Sequence, residues 1–204
     1  TERQPEDYAK YLTEKQPGFS RKDGYIIPYG DSPFDHENVG EEVYFHILNH
    51  AKKYVHIMTP YLILDNEMIT TLTRVAKSGI EVIIIMPHIP DKWYAFAVAK
   101  TYYKELIEGG VQIYEYTPGF VHAKVFVSDD DTATVGTINL DYRSLYLHFE
   151  CGAFIYNNSE VDKIERDFQQ TLARCHKVTL IEVKNRSMLT KIAGQVMRLV
   201  APLM

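Results

Sequence analysis

Residues 111–156 read VQIYEYTPGFVHAKVFVSDDDTATVGTINLDYRSLYLHFECGAFIY. Strand-like runs follow one another over 111–116, 121–128, 132–136 and 148–156. No helix-length connector separates the second run from the third. The spacing therefore predicts an antiparallel hairpin turning at Asp129-Asp130-Asp131.

Upstream the pattern differs. Val43, Ile47, Leu48 and Ala51 fall at helical spacing, and residues 54–58 follow as a strand stopped by Thr59-Pro60. Asp65 suits the N-cap of a helix carrying Met68, Ile69, Leu72 and Val75. Residues 80–86 are almost continuously apolar, as in a strand covered on both faces. A helix over 93–108 ends at Gly109-Gly110. Strand-helix alternation followed by a hairpin predicts an α/β fold, a mixed β-sheet flanked by helices on both faces. Helical spacing returns over 159–176, and residues 178–181 suit a short last strand. Residues 1–23 are polar and rich in Pro and Gly, which marks a lead-in or linker. The domain spans 24–184. Residues 185–204 form a C-terminal amphipathic helix, with Met188, Leu189, Ile192, Val196, Leu199 and Val200 on one stripe expected to pack on the domain.

The chain has 204 residues and a net charge of −5, so no overall basic field attracts nucleic acid. Fifteen tyrosines suit sheets and wet pockets. Cys151 and Cys175 lack metal-ligand spacing and read as buried, apolar side chains. No apolar run reaches transmembrane length. A polar start without an initiator Met reads as a fragment or a processed chain.

The chemistry concentrates in His122, Lys124, Asp129, Thr137, Asn139 and Glu150. His122 and Lys124, two apart on a strand, share a face with Cα atoms roughly 7 Å apart. A phosphate fits between their tips. Lys offers a compact cation, and His a nitrogen able to attack phosphorus or protonate a leaving alkoxide. Asn139 and Thr137, beyond Gly136, offer an amide and a hydroxyl to phosphate oxygens. Glu150 sits in an apolar strand, where a carboxylate needs a partner, and His122 Nδ1 is a suitable one. Asp129 has the opposite strand parity, which predicts work in the turn or scaffold. Taken singly, each of these residues has an ordinary structural explanation; the joint spacing carries the signal.

That spacing resembles the HKD motif of the phospholipase D superfamily. His122, Lys124, Asp129, Gly136, Thr137 and Asn139 all match it. IYEYTPGFVHAKVFV, GTINLDYRSLYLHFE, TPYLILD and RLVAPLM resemble the C-terminal half of bacterial cardiolipin synthases. His148 departs from that family, which usually has Asn there. The first half, normally carrying membrane helices and another HKD motif, has no counterpart here.

The resemblance implies phosphatidyl transfer between two phosphatidylglycerol molecules through a phosphohistidine, giving cardiolipin and glycerol. It implies no metal and no cofactor. His122 would be the general acid and then base, oriented by Glu150, with Lys124 and Asn139 on the phosphate. The partners implied are phosphatidylglycerol, an N-terminal half carrying the first motif, and the surface of the bacterial cytoplasmic membrane. With one motif, the isolated chain is expected to be inactive or nearly so. The alternative is a homodimeric phospholipase D-type phosphodiesterase or nuclease that pairs two copies of His122. Tyr61, residues 88–93 and residues 118–120 are candidate rims of a lipid entrance. Asp141 and Arg143 are read either as headgroup ligands or as an internal ion pair.

Overall fold

The computed structural model describes residue 7 and residues 23–199. Apart from residues 7 and 23, the expected lead-in over 1–23 lies outside the described residues, as does the stripe position Val200.

Eight strands form one mixed sheet. They are β1 (Tyr25–Asp31), β2 (Tyr54–Met58), β3 (Glu81–Pro87), β4 (Gln112–Tyr116), β5 (Val125–Ser128), β6 (Thr132–Gly136), β7 (Glu150–Tyr156) and β8 (Cys175–Lys177). Their spatial order is β1-β7-β6-β5-β2-β3-β4-β8. The strands β2, β3 and β4 run parallel. Strand β5 joins β2 antiparallel, and β6, β7 and β1 continue antiparallel beyond it.

The helices are α1 (Val39–His50), α2 (Asn66–Lys77), α3 (Trp93–Glu108), α4 (Tyr142–Tyr146), α5 (Glu160–Leu172), α6 (Leu180–Lys184) and α7 (Met188–Arg198). Tyr44, Leu48, Leu72, Val98 and Tyr102 bring α1, α2 and α3 onto one face, over Val55, Ile57, Ile84 and Phe126. On the other face α5 buries Phe168 among Met58, Ile83, Ile85 and Val125, and Val161 among Val127, Ala133 and Ile155. Burying each such side chain contributes roughly 1.5–3 kcal/mol. Helices thus cover both faces, as the alternating pattern predicts. Asp65 caps α2, accepting from the Met68 N–H at 2.7 Å.

Several boundaries differ from the sequence reading. The strand expected over 121–128 starts only at Val125. Its ladder with β2 ends at Met58 opposite Val125. Two residues beyond Met58 comes Pro60, which has no N–H to extend a ladder. The last strand is residues 175–177, while 180–184 is helical. The cause is a capping box, in which the Thr179 N–H donates to Glu182 Oε2 at 2.6 Å and the Glu182 N–H donates to Thr179 Oγ1 at 3.3 Å.

The stripe of α7 is also corrected. Helix α7 meets α3 through Gly194, where a Cβ would stand 2.8 Å from Thr101 Cγ2 and 3.0 Å from the Ala97 carbonyl oxygen. This close approach selects the small-residue side and turns Met188, Ile192 and Val196 outward, at 76 %, 52 % and 59 % exposure. Cys151 is exposed and Cys175 half-buried, so the expectation of two buried thiols fails; burial still pushes the Cys175 thiol up to about 11. No helix among the described residues is long and apolar enough to cross a membrane.

The hairpin turns where expected, with Asp129 and Asp130 at φ of 56° and 64° and an Asp131 N–H to Ser128 carbonyl bond of 3.2 Å. Positive φ at both central residues matches the twist of the flanking strands, and Asp tolerates it. The Asp129 carboxylate accepts the N–H groups of Lys52, Lys53 and Tyr54 at 2.6, 2.9 and 3.0 Å. It stitches the α1–β2 loop to the β5–β6 turn. Asp129→Ala is expected to cost about 1–3 kcal/mol, because those donors lose a charged acceptor. A denaturant midpoint unchanged from wild type would show that water replaces the carboxylate without loss.

Candidate active site

One end of the sheet gathers the chain's reactive groups. There β2 and β3 finish, β5 begins, β6 ends and β7 starts. Ligands in open α/β sheets lie at strand ends of this kind. Two close approaches set the local geometry. At Gly136 a Cβ would lie 2.4 Å from the Cys151 carbonyl oxygen and 2.7 Å from Gly152 Cα, so only glycine fits between β6 and β7. Thr59 then ties the next residues to the end of β2. Its hydroxyl donates to the Tyr61 carbonyl at 2.9 Å and accepts from the Leu140 N–H at 3.2 Å. The Ile63 N–H adds a bond of 2.8 Å to the Leu140 carbonyl.

His122 precedes β5 and is exposed beside Phe120, with ring centroids 5.8 Å apart. Lys124 is buried, and its Nζ donates to the His122 carbonyl at 2.7 Å. The pair is therefore joined through the backbone before the strand begins, and strand parity does not apply to it. Burial lowers the Lys124 pKa from its ordinary value, while the carboxylates of Glu150 and Asp141 act the other way. No carboxylate forms an ion pair with Lys124 among the described residues, so its charge remains available to an anion.

Asn139 follows the β6 exit. Its Nδ2 donates to Ser144 Oγ at 2.9 Å, while its Oδ1 is buried without a partner. An unpaired buried carbonyl is costly. The Asn139 amide also bonds the Asp141 carboxylate, which braces the loop entering α4. Asp141 caps α4, accepting from the Ser144 N–H at 2.8 Å, and burial raises its pKa against the bonds from Ser144 and Asn139. The alternative of an Asp141–Arg143 ion pair is not realised among the described residues. Arg143 instead joins Lys92, Tyr61, Tyr94, Asn139 and His148 around a cavity of about 310 Å³. That volume lies at the lower end for small-molecule pockets.

Two expected roles are corrected. Glu150 was expected to orient His122, but its carboxylate accepts from the Thr137 hydroxyl and lies 3.5 Å from His148 Nδ1. Strand β6 stands between β7 and β5, which separates the Glu150 end of β7 from the residues leading into β5. Thr137 was expected to donate to phosphate, yet its hydroxyl is committed to Glu150 and also accepts the Cys151 N–H at 3.0 Å. Asp129 stands at the far end of β5 from His122 and works in the turn, although parity is not the reason because neither residue lies within the strand.

Ser144 and Thr59 position the site and were not singled out in the sequence. Ser144 is three residues past Asp141, the spacing of a helix cap, and that was its only signal. Among the described residues, no group of three or more His, Cys, Asp or Glu is placed to hold a metal ion. His56 is a satisfied core residue, 3.0 Å from Glu165 and stacked on Phe168.

Behind α4 lies a second titratable group. Tyr146 Oη is 2.7 Å from Glu41 Oε1 and 2.5 Å from Asp65 Oδ2. A phenol has one proton to share between two carboxyls, so the cluster favours a further proton on Glu41. Burial pushes Glu41 up to about 7, with the Tyr146 bond acting against it and Asp65 reinforcing it. A raised folded-state pKa gives stability that is full below the unfolded value near 4.5 and is lost as pH rises through about 7. The thermal midpoint is therefore expected to fall between pH 5 and 8, and Glu41→Gln is expected to flatten that slope. Identical slopes in both proteins would remove Glu41 as its source.

Known proteins resemble this chain in sequence and in fold. The family model described as cardiolipin synthase, PLD-like domain, matches residues 44–172. A protein of Streptococcus mutans, itself described as uncharacterized, is 54 % identical over 198 residues, covering 97 % of this chain and 43 % of that protein. A cardiolipin synthase of Halalkalibacterium halodurans is 34 % identical over 184 residues, covering 90 % and 37 % respectively. The chain thus spans about two fifths of the length of these relatives. The crystal structure of phosphatidylserine synthase from Haemophilus influenzae shares the fold at a TM-score of 0.71 and 16 % identity, covering 88 % of this chain and 47 % of that one.

Proposed function

This chain belongs to the family of the cardiolipin synthase phospholipase D-like domain, and from that premise we propose that it is the C-terminal catalytic half of a phosphatidyltransferase. The reaction joins two phosphatidylglycerol molecules into cardiolipin and releases glycerol. One observation carries the reading. An exposed histidine, a buried lysine that pairs with no carboxylate among the described residues, and an asparagine facing a cavity share one end of the sheet.

The proposed chemistry proceeds in two displacements. A histidine of the N-terminal half attacks phosphorus, forming an N–P bond as the P–O bond to the glycerol headgroup breaks. His122 gives its proton to the departing oxygen. The now neutral His122 takes a proton from the headgroup hydroxyl of a second phosphatidylglycerol. That oxygen attacks phosphorus, the N–P bond breaks, and cardiolipin leaves with His122 protonated again. Lys124 and the Asn139 amide balance charge on the phosphoryl oxygens, where donors aimed at developing charge contribute most. Glu150 holds Thr137 and supports the positive charge of Lys124 through its field.

The test is to quench the assembled enzyme during turnover of phosphatidylglycerol carrying labelled phosphorus. Label is expected on a histidine outside this chain. Label on His122 would exchange the two roles.

A further inference from the structure

Away from the site, α3, α6 and α7 enclose a groove of about 300 Å³. Lys100, Lys104, Lys184, Arg186 and Lys191 line it, and among the described residues no carboxylate does. Five cations around one groove is a marked concentration in a chain of net charge −5. Their compensation is partial. Lys100 lies 3.4 Å from Glu115, and Lys184 lies 3.9 Å from Glu108. Lys191 Nζ donates to the Lys184 carbonyl at 2.6 Å, and Arg186 to the Lys100 carbonyl at 3.2 Å. Burial lowers the Lys100 pKa, and the Arg186 charge lowers it further while Glu115 opposes both. An anion in the groove relieves that crowding.

The groove adjoins the outward stripe of α7. Met188, Ile192 and Val196 are exposed there, and Ile181 on α6 is 71 % exposed. Lys191 stands on α7 between the side facing α3 and this stripe. Cations beside an apolar strip complement an anionic bilayer, where phosphates meet the cations and acyl chains meet the strip. A free anion fits the groove but leaves the stripe uncovered. We propose that the α6–α7 face docks the chain on a bilayer rich in anionic phospholipid, with a lipid phosphate in the α3–α6–α7 groove. This inference does not rest on phosphatidyl transfer by His122.

Cosedimentation with vesicles tests it, using equimolar phosphatidylglycerol and phosphatidylcholine against phosphatidylcholine alone. The chain is expected to pellet with the anionic vesicles and to be released by salt. Lys184→Glu with Lys191→Glu is expected to weaken binding at least about tenfold. Ile192→Ser with Val196→Ser is expected to weaken it comparably. All four side chains are exposed, so far-ultraviolet circular dichroism should match wild type and confirm folding. Equal binding to both vesicle types, or no binding, overturns the proposal. So does inorganic phosphate protecting the groove lysines from acylation while the serine pair binds vesicles normally, which assigns a free-phosphate site. A dimer abolished by the serine pair, without vesicle binding, assigns the face to a second copy of the chain.

Discussion

His122→Ala is expected to lower cardiolipin formation by at least about a thousandfold in the enzyme assembled with its N-terminal half. General acid–base catalysis contributes roughly 10²–10⁴-fold, and in the proposed reaction one imidazole serves both displacements. Without it, glycerol leaves as an unassisted alkoxide and the second headgroup hydroxyl attacks without a base. The side chain is exposed and lies beside Phe120, so stability should change by no more than about 0.5 kcal/mol. Lipid analysis of the reaction, with a thermal melt of the same sample, separates lost chemistry from lost fold. A variant retaining a tenth of wild-type turnover would remove His122 from proton transfer.

Phe126→Ala is expected to cost about 3–5 kcal/mol, the range for deleting a buried aromatic ring. Phe126 is 1 % exposed on β5, and Tyr44 stacks on it with centroids 4.1 Å apart. In a domain of this size the midpoint should fall by roughly 6–20 °C. The loss should reach the site, because the Tyr44 hydroxyl donates to the Ile138 carbonyl at 2.5 Å, one residue before Asn139. Burial also raises the Tyr44 pKa well above its ordinary value, which keeps that hydroxyl a donor. At a temperature where the variant is still folded, KM for phosphatidylglycerol should rise. A midpoint within 2 °C of wild type would mean that Tyr44 collapses into the space without penalty.

Much of the fold was legible because its signals are local. Asp65 before an amphipathic run marks the start of α2, and Gly109-Gly110 marks the end of α3. The three Asp residues mark the hairpin turn. What escaped depends on partners distant in sequence. Strand β5 begins late because its ladder partner β2 runs into Pro60. Residues 180–184 are helical because a Thr179–Glu182 capping box outweighs a β-branched run. The α7 stripe faces out because Gly194 offers α3 a closer approach than the larger side chains can.

The candidate site divides the same way. Spacing alone brings His122, Lys124 and Asn139 to one end of the sheet, since a short hairpin joins the strands beside them. Which groups hydrogen-bond there is a matter of strand order. With β6 between β7 and β5, Glu150 meets Thr137 and His148 instead of His122. Ser144 and Thr59 act through loops that only the folded chain brings together.

The central claim is that this chain supplies half of a transferase site. Its most direct test is to mix the chain with the separately expressed N-terminal half that the proposal requires, supply phosphatidylglycerol vesicles, and measure cardiolipin by mass spectrometry. Cardiolipin is expected from the mixture, none above background from either half alone, and none when the chain carries His122→Ala. Full cardiolipin synthesis by this chain alone, or undiminished synthesis with His122→Ala in the mixture, would contradict it.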